Sequence, residues 1–151
     1  MSQYTFIASR GLIPELDLTE IMRVMIKDIR HNANFPASLA HLSDETEIMY
    51  AKDEQALNGL RIFPCIHPPY DLKHYITIDY IYTLEGTFDA VRIQQFIDYL
   101  HSFVTPVEIW SIAFGQGRLP VQHQTIPRAA LHCNDMNILN RRQSTHCLTV
   151  L

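Results

Sequence analysis

The sequence predicts an α+β domain in which a single, mainly antiparallel sheet of five or six strands carries two main helices on one face. Short alternating or wholly apolar segments, typical of strands, outnumber the stretches whose apolar residues recur at spacings of three and four, which are typical of helices. Several neighbouring strand segments are joined too closely for the crossovers that parallel strands need, which favours antiparallel pairing. At 151 residues the chain suits one domain over 1–151.

The start of the chain predicts the first strand and the first helix. The segment "YTFIAS" at 4–9 is rich in β-branched and aromatic residues and is typical of a strand. Apolar residues three and four positions apart then predict a helix over 18–31. Asp17 or Thr19 would cap its N-terminus.

The next two strands are predicted to form a hairpin. The segments 46–52 and 60–66 flank a polar connection that ends in Asn58-Gly59, a dipeptide typical of tight hairpin turns. Pro64 has no backbone N–H to donate to a neighbouring strand. The second strand of the hairpin should therefore lie at an edge of the sheet or contain a bulge.

A long strand is predicted over 74–85, from the alternating segment "HYITIDYIYTLEG". From position 76 to 84 its even positions are apolar: Ile76, Ile78, Tyr80, Tyr82 and Leu84. This even side would pack against the helices. The odd side, which carries Asp79 at its middle, would then be an uncovered and available face.

The remaining elements follow from capping and from two-sided apolarity. Thr87 or Asp89 can cap a helix over 88–103, and 106–114 is apolar on both sides of its pleat, as expected of a central strand. The last part of the chain is predicted to contain a loop, a short capped helix and a terminal strand, at 115–128, 134–142 and 144–151.

Net charge and cysteine content indicate which classes of partner and which cellular compartment to expect. The net charge of −4 argues against binding nucleic acid, because neutralising phosphates needs a basic face. Three cysteines are an odd, sparse set that fits a reducing cytoplasm. No leader is visible at the N-terminus, and no apolar run approaches the roughly 20 residues of a membrane span. We therefore expect a cytoplasmic protein that contacts neither nucleic acid nor membrane.

The eight histidines raise the question of a metal site. His132-Cys133 and His146-Cys147 would supply the nitrogen and sulfur ligands that zinc accepts. However, the sequence lacks both the paired Cys-x-x-Cys spacing and a His-Glu-x-x-His motif. We expect no metal and no cofactor, and a small His/Cys-based metal-dependent enzyme is kept as the alternative.

A cysteine nucleophile is the other catalytic possibility. Cys65 could be activated by His67 or His74, because thiolate chemistry needs a nearby base. No third, orienting group is identifiable in the sequence. We therefore expect a protein without catalysis of its own.

Acidic residues concentrate in the segment 44–54, where Lys52 is the single base. They are Asp44, Glu45, Glu47, Asp53 and Glu54. The segment is either a solvated hairpin or a docking face for a basic partner, since complementary charge raises association rates.

Three segments, "YTFIASRGLIPELD", "IDYIYTLEGTFD" and "FIDYLHSFVTPVEIWSIAFGQG", resemble the immunity proteins of bacterial contact-dependent growth inhibition and other polymorphic toxin systems. The resemblance fades after residue 118, and it concerns packing patterns. It implies a cytoplasmic protein without a reaction of its own that binds and blocks the C-terminal domain of a cognate toxin, commonly a nuclease. The oligomeric state is open from the sequence, and a monomer is the expectation for the free protein. In some such pairs the toxin adds a β-hairpin to the immunity protein's sheet.

Resemblance and residue types together give a predicted toxin-binding surface. Its members come from the acidic segment, the proline-containing strand and the odd side of the long strand: Glu45, Glu47, Asp53, Glu54, Arg61, Phe63, Tyr75, Thr77 and Asp79. A regulatory module that binds a small ligand in a pocket under the helices is a further alternative.

Overall fold

The structure, a computed structural model, describes residues 2–51 and 53–151. Its strands are β1 (Ser2–Ser9), β2 (Leu16–Asp17), β3 (Met22–Met25), β4 (Glu47–Tyr50), β5 (Arg61–Pro64), β6 (Tyr80–Glu85), β7 (Val107–Phe114), β8 (Val121–Ile126) and β9 (Thr145–Val150). Its α-helices are α1 (Ile26–Ile29), α2 (Glu54–Leu57) and α3 (Ala90–His101). Four 3-10 helices cover Ala37–Leu39, Tyr70–His74, Arg128–Ala130 and Cys133–Asn140.

The strands form one sheet of seven strands and one separate ribbon of two. The order in the larger sheet is β2-β5-β6-β1-β7-β9-β8, and β3 pairs with β4 in the ribbon. Every pairing is antiparallel except that of β8 with β9. The predicted α+β class and the mainly antiparallel pairing are confirmed, whereas the sheet is larger than the five or six strands expected.

The centre of the sheet is formed by β1 and β7, which pair over their whole length from Ser2 with Phe114 to Ser9 with Val107. Six of the eight residues of β7 are buried. A strand covered on both faces needs apolar residues on both sides of its pleat, and this is what 106–114 offers. The predicted inner position of this strand is confirmed.

One face of the sheet, called here the helix face, is covered by α3 and by the 3-10 helix Cys133–Asn140. Ile7 and Ile109 of the sheet share a buried cluster with Phe96 of α3 and Met136 of the 3-10 helix. Asp89 caps α3 by accepting a hydrogen bond from the Arg92 backbone N–H at 2.9 Å. The predicted helix over 88–103 is therefore present with slightly shorter bounds.

The opposite face is covered by a crossing segment, residues 70–79, that runs over the middle of the sheet. Leu72 and Ile76 from this segment share a second buried cluster with Phe6 and Trp110 of the sheet. The sheet thus has a packed layer on both faces, and helices on one face only are not its full covering.

The predicted helix over 18–31 is wrong, because only Ile26–Ile29 is helical and Met22–Met25 is a strand. Asp17 accepts hydrogen bonds from the Thr19 backbone at 2.9 Å and from its hydroxyl at 2.5 Å, which makes a tight turn. Glu20 then adopts a positive φ of 52°, which no helix can continue through. In the described ranges α3 is the only α-helix longer than one turn.

The predicted hairpin of 46–52 with 60–66 is also wrong, since β4 pairs with β3 and β5 pairs with β2 and β6. Lys52, at the end of the first predicted strand, lies outside the described residues. Pro64 is nevertheless placed as its chemistry requires. The Leu18 N–H donates to Leu60 O at 2.8 Å, so the backbone N–H and C=O groups of even-numbered residues in β5 point towards β2. Strand β2 pairs with Arg61 and Ile62 and is too short to reach Pro64.

The predicted strand over 74–85 is correct only for its second half. The chain before Tyr80 is the crossing segment, in which Tyr70–His74 is a 3-10 helix that follows two prolines. Tyr82 and Leu84 pack on the helix face as expected, whereas Ile76 packs on the opposite face. The odd side is accordingly not an uncovered face.

The sequence also failed to predict β8, which falls inside the expected loop 115–128. The terminal strand at 144–151 is present as β9, and the short capped helix at 134–142 is present as the 3-10 helix Cys133–Asn140. Among the described residues, no helix has the length and the apolarity needed to cross a membrane.

Candidate protein-binding site

The ribbon of β3 and β4 is an exposed apolar surface. Six of its eight residues are apolar and none of these six is buried: Met22, Val24, Met25, Ile48, Met49 and Tyr50. Met22 is 57% exposed and Met49 is 68% exposed. Successive side chains of a strand alternate, so Met22 shares one face of the ribbon with Val24, Ile48 and Tyr50, and Met49 lies on the other face. An isolated two-stranded ribbon is only marginally stable in water, and exposed apolar residues mark interaction surfaces.

Backbone hydrogen bonds anchor the ribbon at the end that contains Met25 and Glu47. There the pairing continues into α1, because the Ile26 N–H donates to Thr46 O at 2.9 Å and the Lys27 N–H donates to Asp44 O at 3.1 Å. Ile26 and Ile29 are buried and fix this end. At the other end the ribbon joins β2 through the turn at Glu20. The Met22 and Met49 side chains of the ribbon remain exposed.

Part of the acidic segment lies beside this anchored end, and part of its charge is already neutralised. Arg30 forms an ion pair with Asp44 at 2.7 Å and donates to Leu42 O at 2.7 Å. Lys27 lies 3.7 Å from Glu45. Both pairs are exposed, so each is worth little in water. Glu47 has no ion pair within the part of the chain that the structure describes.

The other end of the acidic segment forms α2. Asp53 caps this helix by accepting a hydrogen bond from the Ala56 N–H at 2.8 Å, and Glu54 is exposed in its first turn. A cleft of about 340 Å³ separates α2 from the start of α3 and is lined by Asp53, Asp89 and Val91. Hydrogen bonding to the backbone N–H of Arg92 lowers the pKa of Asp89, so this carboxylate stays charged.

Arg61 and Phe63 are neighbours on one side of β5, but the Arg61 guanidinium already has partners within the chain. The Arg61 guanidinium lies 4.5 Å from the centre of the Phe63 ring. It also lies 3.7 Å from Asp17 and 3.9 Å from Glu85, on the two flanking strands. A row of three alternating charges thus crosses this end of the sheet, and its arginine is satisfied within the chain.

The three residues predicted on the odd side of the long strand lie on the crossing segment, and they differ in burial. Tyr75 is buried, with its ring 6.4 Å from that of Trp110 and its hydroxyl accepting a hydrogen bond from the Leu119 N–H at 3.2 Å. Thr77 and Asp79 are exposed at the end of this segment. Tyr75 therefore contributes to the second buried cluster, and only its two neighbours are accessible to a partner.

No group of three or more His, Cys, Asp or Glu residues in the described part of the chain is placed to hold a metal ion. The two His-Cys dipeptides lie in different settings. His132 and Cys133 are exposed at the start of a 3-10 helix, and the Cys133 thiol donates to Gln94 Oε1 at 3.4 Å. Burial raises the pKa of the Cys147 thiol to about 12, which keeps it protonated and unreactive.

His146 makes the contact that most resembles a nucleophile and its base. Its Nε2 lies 2.8 Å from Ser144 Oγ, and the ring is only 3% exposed. Burial lowers the pKa of His146, and the positive charge of Arg141 lowers it further. Among the described residues no carboxylate comes within 4.0 Å of this ring to orient it. The contact holds a neutral imidazole in the sheet.

Comparison of the chain with protein-family models, with curated proteins and with solved structures gave no match. The case for a binding site therefore rests on the molecule's own surface. Sequence reasoning selected the carboxylates Glu45 and Glu47 but missed the apolar ribbon that lies next to them. The sequence feature that could have indicated this ribbon is the methionine content of its two strands, since flexible thioether side chains are common on adaptable binding surfaces.

Proposed function

We propose that this protein is an immunity protein, which binds the C-terminal domain of a cognate toxin in the cytoplasm and blocks it without catalysis of its own. The observation that carries the proposal is the exposed apolar ribbon of β3 and β4, beside the carboxylates of the acidic segment. The resemblance of the chain before residue 118 to toxin-system immunity proteins supports the same function.

Charge indicates the chemistry of the partner. A toxin domain that acts on nucleic acid carries a basic substrate face. Glu47 and Glu54 are exposed and unpaired within the described residues. Asp53 caps α2 through one carboxylate oxygen, and no described residue forms an ion pair with it. These charges would attract such a face and govern the association rate, while the apolar ribbon would set the dissociation rate.

The proposed interface differs from the one that the sequence predicted. Glu45, Glu47, Asp53 and Glu54 are retained as its acidic rim. Arg61 and Phe63 pair within the sheet and Tyr75 is buried, so we place these three outside the interface. Thr77 and Asp79 are exposed on the crossing segment, and they are also left out because they do not belong to the ribbon.

The apolar contribution can be tested by adding charge to the ribbon. The double substitution Met22→Lys and Met49→Lys places a charge on each face of the ribbon. It should weaken binding of the toxin domain encoded beside this gene by about 10-fold if one face is buried and about 100-fold if both are, because burying each methionine side chain is worth about 1–2 kcal/mol. Leu12→Lys with Val104→Lys is the matched control, since these residues are 76% and 87% exposed and lie outside the ribbon. The measurements are affinity by titration calorimetry and protection of cells that express the toxin domain. Equal losses in the two variants, or none in either, would place the interface elsewhere.

The electrostatic contribution has its own test. Glu45→Gln, Glu47→Gln, Asp53→Asn and Glu54→Gln together should slow association and flatten its salt dependence, with a small change in dissociation rate. Asn replaces Asp53 because it caps a helix equally well. An unchanged association rate across a salt series would remove the acidic rim from the interface.

A further inference from the structure

Strand β8 leaves one edge of the larger sheet open. It is the last strand in the sheet order, and among the described residues it pairs with β9 alone. Its four middle residues, 122–125, are all exposed. An exposed strand edge presents unpaired backbone groups to any chain that can pair with them.

The directions of these backbone groups follow from the end of the ladder. The Leu151 N–H donates to Ile126 O at 3.1 Å, and the Arg128 N–H donates to Leu151 O at 2.8 Å. Even-numbered residues of this strand therefore point their N–H and C=O towards β9, because successive residues of a strand alternate. The N–H and C=O of Val121, His123 and Thr125 point away from the sheet, and in the described part of the chain these six groups have no partner.

The edge lacks the usual protection against pairing. Natural edges are blunted by lysines, by prolines within the strand, or by bulges. The sequence "VQHQTI" of β8 contains no charged residue and no proline, and Pro120 and Pro127 lie just outside it. We propose that two copies of this chain associate weakly through β8, as antiparallel neighbours related by a twofold axis at His123.

Self-pairing in this register satisfies every outward group. His123 opposes His123 of the second copy, and Val121 opposes Thr125, which gives six backbone hydrogen bonds. A shift of two residues either way is worse. It places Pro127, which has no N–H, or Leu119, whose N–H already donates to the Tyr75 hydroxyl at 3.2 Å, within the ladder.

The side chains of β8 are compatible with this self-pairing. On the helix face, the carboxamide of Gln122 lies opposite that of Gln124 of the second copy, and two carboxamides can donate to each other. On the opposite face, Val121 lies beside Thr125. No pair of like formal charges is brought together at neutral pH. Two six-residue strands bury little surface, so the dimer is expected to be a weak one.

The proposed dimer is independent of the proposed toxin binding. β8 and β2 are the two ends of the larger sheet, and the ribbon follows β2 in the chain. The second copy therefore adds at the end of the sheet away from β2. A monomer is the expectation from the sequence for the free protein, and the edge geometry points instead to self-association at high concentration.

Sedimentation velocity over a wide concentration range tests the proposal on the protein alone. The wild type should show a monomer–dimer equilibrium. Thr125→Pro removes one outward N–H from each copy, and it should weaken association at least about 30-fold, while Thr125→Ala, which keeps that N–H, should change association by less than about 3-fold. A monomer at every concentration, or a dimer equally stable in both variants, would overturn the proposal.

A second pair of variants tests the register without altering the backbone. Gln122→Lys with Gln124→Glu places opposite charges across the twofold axis and should strengthen the dimer. Gln122→Glu with Gln124→Glu places like charges there and should weaken it. If Thr125→Pro does not fold, this pair decides, and equal association in the two variants would refute the register.

Discussion

Replacing Gly59 by alanine should detach β2 from the sheet. A Cβ at this position would lie 2.3 Å from Leu18 O and 2.7 Å from Leu18 C. A carbon–oxygen contact normally measures about 3.3 Å or more, so the backbone of Leu18 would have to move by about 1 Å. That movement breaks the hydrogen bond from the Leu18 N–H to Leu60 O, which measures 2.8 Å.

The size of the effect combines two costs. Overpacking against a rigid backbone costs about 1–3 kcal/mol, and a lost backbone hydrogen bond adds about 0.5–1.5 kcal/mol. We expect Gly59→Ala to lower the free energy of unfolding by about 2–4 kcal/mol and the Tm by roughly 5–15 °C. Urea denaturation followed by circular dichroism measures the first, and hydrogen exchange at the Leu18 amide reports the local detachment.

Gly11→Ala is the matched control for this substitution. Its new Cβ would meet only Thr105 Cγ2 at 3.8 Å, which is an ordinary contact. We expect this variant to be as stable as the wild type or about 0.4–1 kcal/mol more stable, because alanine restricts the unfolded chain. Equal urea midpoints for Gly59→Ala and Gly11→Ala would refute the close approach of Gly59 to Leu18.

Two further predictions concern titratable groups. Since the pKa of His146 is lowered in the folded state, the unfolded state binds this proton first, and stability should fall as pH drops through the ordinary histidine value of about 6.5. The loss in urea midpoint between about pH 7.5 and about pH 5.5 should be smaller in His146→Gln, and equal losses would contradict this. Because burial raises the pKa of Cys147 to about 12, a thiol reagent at neutral pH should label exposed Cys133 but reach Cys147 only in denaturant. Peptide mass mapping measures the labelling, and equal labelling of the two cysteines in the folded protein would count against the burial.

The centre of the fold could be predicted from the sequence because its signals were redundant. Strand β7 has apolar residues on both sides of its pleat, and α3 combines an apolar stripe with the cap at Asp89. Burial and local geometry agree in these elements. The chain from 18 to 31 offered an apolar spacing, which a methionine-rich strand also satisfies, and the cap candidates Asp17 and Thr19, which form a tight turn instead. The turn at Glu20 and the pairing with β4 decided the structure there.

The sequence indicates which residues matter more reliably than it indicates their structural roles. Asn58-Gly59 is typical of a hairpin turn, whereas in the structure Gly59 allows a close approach to Leu18. The acidic segment was recognised, but its neighbour in space, β3, lies about twenty residues earlier in the chain. Strand pairings between residues this far apart in the chain depend on the whole fold, and no local sequence pattern predicts them.

The position of β9 between β7 and β8 has a consequence for the order of folding. β8 precedes β9 in the chain but has no other neighbour in the sheet, so it cannot dock until β9 has added to β7. Residues 115–144 must therefore close as one long loop before β8 is ordered, and such closure is entropically costly. β8 should be among the last elements to form and the first to open. Each opening would expose the backbone N–H and C=O groups of β9 that pair with β8. The partly unfolded molecule would therefore still have an unpaired strand edge, now at β9 instead of β8.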